Sequence, residues 1–325
     1  MAGPPLEIDG NTLDLQIQAF AAAAAKRGAK IDPTPEATRH GFAELVSITS
    51  SNPANDVAIH DRSIPGPASS LRVRVYHPAS ASGAAPSIAW FHQGGGVIGD
   101  LDTDHSLCTE LAHSCGAVVV SVDYRLAPEH RFPAAVDDAV SSYQWVIDNA
   151  DGLGVDPARV AVGGTSTGAT LAAVVCQERR RQSVPQPVLQ ILAYGDLDGT
   201  LTGGSRDSCA DCFPLTAATL EFFAFHYLPD ASAIDDHRAS PGSSDELWGL
   251  ARAIVISAGF DPLRDAGDGY ARALAAAGVD VTHRCEGSLP HSFTVMGGIS
   301  KEARRAISRL TDDVASSRFF SRLAG

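Results

Sequence analysis

The 325-residue chain contains no run of the ~18 apolar residues that a membrane-spanning helix needs. It is poor in positive charge: 25 basic residues face 38 acidic ones, a formal net charge of −13. Such a balance argues against nucleic acid and against an anionic membrane surface as partners. The start, Met1 to Glu7, has no basic segment ahead of an apolar one, and Phe20 to Ala25 is too short for a secretory signal. A cytoplasmic location is expected.

Cysteine is sparse and irregularly spaced, at 108, 115, 176, 209, 212 and 285. Most of these positions fall in apolar patterns, where a reduced thiol behaves as a small buried residue. Cys209 and Cys212 form one C-x-x-C pair. Zinc would need two further ligands, for which His226 and His237 are the candidates, and the spacing matches no standard zinc module. A thioredoxin-like role lacks the βα context. There are no internal repeats, and no low-complexity tract beyond an alanine run. The one glycine run, Gly94 to Gly96, lacks both the Lys-Ser/Thr of a P-loop and the spacing of a dinucleotide fingerprint.

What is present is a globular composition, 44% hydrophobic and 19% charged. The length allows one large α/β domain with an insertion, or two domains. Residues 1–50 read as helices at Leu13–Lys26, with Gly28 as its stop signal, and at Pro35–Val46. Alternation at Val57–Ile59 and Leu71–Tyr76 predicts an edge hairpin around Pro65-Gly66-Pro67. Continuous apolar runs then predict buried strands at Ser87–Phe91, Ala117–Val122, Val160–Val162, Val188–Tyr194, Ile254–Ser257 and Val279–Cys285. Helices are expected between them, at Thr103–Ser114, Ala134–Asn149, Ala169–Gln182 and Ala266–Ala277, and a closing helix at Lys301–Leu323. This alternation implies an α/β fold with a mostly parallel central sheet flanked by helices. Residues 196–248 break the pattern with glycine- and proline-rich loops around an aromatic helix, Ala217–Leu228. They read as an inserted cap. The expected division is 1–50 as N-terminal cap helices, 51–195 and 249–325 as core, and 196–248 as inserted cap.

The apolar run ending at Val162 leads into Gly163-Gly164-Thr165-Ser166-Thr167-Gly168 and then a helical segment. Strand, glycine-flanked serine, helix is the context of a nucleophile elbow. The tight turn exposes the Ser166 hydroxyl and puts the Thr167 N–H at a helix start, where a developing oxyanion is stabilised. A Gly/Ser/Thr loop that caps a helix is the bland alternative, so the remaining chemistry has to be found. A serine hydroxyl needs a base, and the base needs a carboxylate to hold its tautomer. In the topology that uses this elbow both follow the serine, acid first. Of His226, His237, His283 and His291, only His291 sits in a loop just past the final strand. His283 lies within that strand and reads as structural. Asp261 is the first residue past the preceding strand and is the expected acid, or else a turn residue before Pro262; Asp265 reads as a cap of the next helix. The loop His92 to Gly96 follows a strand directly, and its small residues can present backbone N–H groups to an oxyanion.

These stretches, with Trp90-Phe91-His92, the segment Asp123 to Ala135 and Asp261 to Asp265, resemble bacterial carboxylesterases of the hormone-sensitive lipase family, an α/β-hydrolase group. The resemblance covers residues 55 to 325, roughly. It implies a triad of Ser166, Asp261 and His291, a helical cap, and no metal or organic cofactor. It departs from the family's His-Gly-Gly-Gly-aromatic loop, because the chain reads His92-Gln93-Gly94-Gly95-Gly96. Aligned without a gap, Gln93 replaces the first glycine and Gly96 the aromatic, which leaves Gly94, Gly95 and Thr167 as oxyanion donors. An insertion would shift the glycines to Gly95 and Gly96. On the ungapped register, Gln93 and Gly96 are expected to border a roomier, more polar recess, unless Gln93 points to solvent.

The function expected is serine carboxylesterase action on small or short-chain acyl esters through an acyl-enzyme. The alternatives are a lactone, thioester or arylamide hydrolase with the same triad, or a ligand receptor built on the fold. The partner is a small-molecule ester, with a homodimer left open.

Overall fold

In the computed structural model the described residues are 4–26, 34–81, 83–317 and 320. The expected stop at Gly28 lies outside them. The main sheet has eight strands. In chain order they are β1 (Val57–Pro65), β2 (Ser70–Pro78), β3 (Ala85–Phe91), β4 (Val118–Asp123), β5 (Val155–Thr165), β6 (Gln190–Ala193), β7 (Ala253–Phe260) and β8 (Val281–Pro290). Their spatial order is β8-β7-β6-β5-β3-β4-β2-β1. β1 and β2 form the antiparallel edge hairpin, and β2 also pairs antiparallel with β4. The other five pairings are parallel.

The longer helices are α1 (Leu15–Lys26), α2 (Pro35–Thr49), α3 (His105–Cys115), α4 (Ala134–Asp148), α5 (Thr167–Arg181), α6 (Ala217–Tyr227), α7 (Arg264–Ala276) and α8 (Lys301–Ala315). They cover the sheet on both faces because the strands are apolar on both. Along β3, Ile88 and Trp90 join a core with Leu111 and Leu310 from α3 and α8. Ala89 and Phe91 point the other way, to a core with Tyr143, Leu171 and Leu274 from α4, α5 and α7. Successive side chains of a strand face opposite sides, so one strand seeds two cores.

Two expectations need correction. The closing helix stops at Ala315 rather than continuing to Leu323; Ser316 and Ser317 follow as turn and bend. Serine competes for backbone hydrogen bonds and is a weak helix former. Residues 318, 319 and 321–325 lie outside the described set. The strand expected at Val160–Val162 extends over Val155–Thr165, paired with β3 and β6 on either side. That length carries it to the residue before Ser166.

The N-terminal helices meet the segment between β6 and β7: the rings of Phe20 on α1 and Phe213 lie 6.1 Å apart. Arg39 on α2 anchors that helix to the glycine loop. Its guanidinium donates to the carbonyls of Val97 and Ala127 at 2.9 Å each and forks onto Glu129 at 2.7 and 2.8 Å. No helix among the described residues is long and apolar enough to cross a membrane.

Candidate active site

Ser166 sits between β5 and α5 with φ 52° and ψ −124°, a backbone conformation that side-chain-bearing residues rarely adopt. The turn is held from both sides. The Ser166 amide donates to the carbonyl of Ala193 at 2.9 Å, and the Ser166 carbonyl accepts from Ala169 at 2.9 Å. Gly164 and Gly168 are required by space: a Cβ on Gly168 would overlap the Phe91 carbonyl, and one on Gly164 would overlap the Gly168 backbone. The Thr167 amide is the first of α5, so no helical carbonyl precedes it as an acceptor.

Asp261 and His291 arrive from the ends of β7 and β8. Nδ1 of His291 lies 2.8 Å from Oδ2 of Asp261, and Nε2 lies 3.0 Å from Oγ of Ser166. All three side chains are buried. Asp261 also fills the turn role: its Oδ1 accepts the Leu263 amide at 2.8 Å, which fixes the carboxylate. The Tyr194 ring stands edge-on to the His291 imidazole at 4.9 Å, and its hydroxyl is hydrogen-bonded to Thr294. The other candidates are placed elsewhere. His283 pairs with Asp268 at 2.8 Å, on an accessible strand position. Asp265 does not cap its own helix. Its carboxylate accepts the Ser205 amide, and its amide donates to the Ser205 hydroxyl, a reciprocal pair that ties the 196–248 segment to α7.

In the glycine loop, Gly94 and Gly95 line the same cavity as Ser166 and His291. Gly96 does not. Its carbonyl accepts the Ala127 amide, and a Cβ there would lie 2.5 Å from the Tyr227 ring of α6. The roomier recess expected at Gly96 is therefore occupied by an aromatic from elsewhere in the chain. Nor does Gln93 point to solvent. It is buried, and its Nε2 donates to Oδ1 of Asp104 at 3.1 Å.

Asp104 had no role in the sequence reading. It directly precedes α3, where an aspartate would be expected to cap the helix, yet it makes no capping bond. Its fully buried carboxylate instead accepts from the indole N–H of Trp90 at 2.9 Å, from the Thr165 hydroxyl and from Gln93. Burial raises its pKa, opposed by these three donors, Thr165 foremost. One carboxylate thus joins the glycine loop to the residue preceding Ser166.

Ser166 opens onto a cavity of about 730 Å³ walled by Phe42 and Leu45 of α2 and by Phe213, Leu215, Phe222 and Phe223. A separate depression of about 490 Å³, around Arg39 and Arg125, does not reach Ser166. The Cys209 and Cys212 thiols are free and buried, His237 is engaged by Glu178, and His226 meets the Phe222 ring edge-on. Among the described residues no group of His, Cys, Asp and Glu is placed to hold an ion.

Comparison with known proteins follows the same lines. A family model described as alpha/beta hydrolase fold matches residues 88–295. The chain is 41% identical over 323 residues to the carboxylic ester hydrolase LipN of Mycobacterium tuberculosis, covering 95% of this chain and 85% of that protein. It is 37% identical over 236 residues to the ethyl acetate hydrolase of Pseudomonas putida, covering 72% and 74%. Among solved structures, an ester hydrolase from the metagenome of Lake Arreo, complexed with a bipyridine phosphonate derivative, superposes with a TM-score of 0.89 at 33% identity, covering 94% of this chain and 98% of that one. The chain belongs to the α/β-hydrolase fold family, as a carboxylic ester hydrolase of its bacterial hormone-sensitive lipase branch.

Proposed function

We propose that the protein cleaves short-chain acyl esters through an acyl-enzyme formed on Ser166. The observation that carries this is the hydrogen-bonded line Asp261–His291–Ser166 opening onto an apolar cavity. His291 Nε2 takes the Ser166 proton as Oγ attacks the ester carbonyl. Asp261 holds the Nδ1–H tautomer and stabilises the imidazolium. The amides of Gly94, Gly95 and Thr167 stabilise the oxyanion, with Thr167 adding the field at the N-terminus of α5. The intermediate collapses, and His291 returns its proton to the leaving alkoxide. Water then attacks the acyl-enzyme by the same route and frees Ser166 and the acid. Residues 1–50 and 196–248 act as a cap over the core formed by 51–195 and 249–325, and they supply most of the apolar wall.

The relatives are named for ester hydrolysis, one of them for ethyl acetate, which favours short acyl groups over lactones, thioesters or arylamides. A receptor would have no use for a base aligned on the serine. The test is labelling with a serine-directed organophosphonate, followed by peptide mass analysis, with a panel of p-nitrophenyl esters of rising acyl length. A single adduct on Ser166 and best turnover at eight carbons or fewer are expected, since a further methylene contributes its ~0.8 kcal/mol only where an apolar wall covers it. No adduct, or best turnover at sixteen carbons, would sink the reading.

A further inference from the structure

A second, smaller cavity of about 140 Å³ also opens at Ser166. The two also share Gly95, Leu215 and Phe223, and the Phe223 ring packs directly over Gly95. The larger cavity is bordered by His291 and Ser292, and the smaller by neither; Thr167, Thr170, Asp196 and Arg206 border the smaller one instead. His291 must reach the leaving oxygen to protonate it, so the alcohol half departs on the His291 side. The acyl half then lies on the far side of Phe223, in the small chamber. A cavity of roughly 150 Å³ accommodates a benzene molecule, so this one holds about six non-hydrogen atoms.

Its lining is not uniformly apolar. Leu171, Leu215 and Leu220 lie alongside Asp196 and Arg206. Arg206 spends Nη2 on Asp196 Oδ1 at 2.9 Å and on the Asp198 carbonyl at 3.4 Å. Among the described residues, Asp196 Oδ2 receives no hydrogen bond, and Arg206 Nε and Nη1 make none, Nε being buried. A spare acceptor beside spare donors matches a hydroxyl, which can donate to the one and accept from the other. The charges select against an acidic acyl group. Arg206 is balanced by Asp196 and Arg238 by Asp236, while Asp198 and Asp261 add negative potential. Burial, with those two carboxylates, raises the Asp196 carboxyl, and Arg206 opposes them. A methyl group in place of the hydroxyl offers this pair neither a donor nor an acceptor.

We propose that the small chamber binds the acyl half of the ester and selects short acyl groups carrying a hydroxyl, with Asp196 and Arg206 as the specificity-determining residues. This rests on the esterase reading above. The experiment compares kcat/KM for p-nitrophenyl 3-hydroxybutanoate and 3-methylbutanoate, which have the same shape, each corrected for spontaneous hydrolysis. A control pair places the same hydroxyl-for-methyl exchange in the alcohol of an acetate ester. About tenfold or more in favour of the hydroxyacyl ester is expected, against less than about twofold for the control pair. Asp196→Asn should reduce the acyl preference to below about threefold. Equal rates for the acyl pair, a preference residing in the alcohol pair, or an unchanged preference in Asp196→Asn would each overturn the proposal. If Asp196→Asn does not fold, the two wild-type comparisons decide. Failure of the esterase reading would look different: no turnover of any ester and no Ser166 adduct.

Discussion

The ring of Tyr227 lies 2.5 Å from where a Cβ on Gly96 would stand. Gly96 also has φ +70°, so any side chain there adds backbone strain to overlap. The aromatic that the sequence lacks at position 96 is supplied through space by α6. Gly96→Ala is therefore expected to cost about 1–3 kcal/mol, and Gly96→Phe more. Tyr227→Ala in the Gly96→Ala background should recover part of the loss. Urea unfolding of the two single variants and the double variant measures the coupling. Strictly additive effects would mean that the two residues do not compete for this space.

Asp104 ties Trp90, Gln93 and Thr165 together beneath the site. Asp104→Ala leaves three buried donors without an acceptor, and a loss of about 2–4 kcal/mol is expected. Asp104→Asn keeps one acceptor and should cost less. Because the network reaches Gln93 beside Gly94 and Thr165 beside Ser166, both variants should lower kcat by about tenfold with little change in KM for a small ester. A stability loss with unchanged kcat would reduce Asp104 to a core residue.

Much of this was legible in the sequence because the signals are local. Apolar runs gave the strands, and the residues at their ends, Ser166, Asp261 and His291, were named from order and placement alone. Tyr227 over Gly96, Tyr194 against His291 and Arg39 on the glycine loop were not legible. Each joins segments far apart in the chain, and nothing near either partner signals the other. Asp104 was hidden for another reason. It falls in the first turn of the expected helix Thr103–Ser114, where an acidic residue is ordinary, and only the fold turns its carboxylate inward. Gln93 lines the cavity, as the ungapped register expects, but its bond to Asp104 was not legible, because side-chain direction in an irregular loop follows from what lies beneath it.

The Arg39–Glu129 fork should make the seating of α2 pH-sensitive. Arg39 lowers the Glu129 pKa from 4.5 to about 2. A carboxylate depressed on folding contributes its stability above the unfolded value and loses it as pH falls through the folded one. The contribution is thus complete above pH 4.5 and fades towards pH 2. The pair is largely exposed, so it is worth no more than ~1 kcal/mol. Wild type should melt slightly above Glu129→Gln at neutral pH, with the gap closing through that window. A gap independent of pH would remove the fork as its cause.

The most direct test of the account is kcat on p-nitrophenyl acetate for His291→Ala beside His283→Ala. His291 faces both Asp261 and Ser166, whereas His283 faces Asp268 on the sheet edge. His291→Ala is expected to lose about 10⁴-fold or more in kcat while remaining folded, and His283→Ala to stay within about twofold. A folded His291→Ala that keeps wild-type turnover, or a loss of turnover in His283→Ala instead, would contradict the assignment of Ser166, His291 and Asp261.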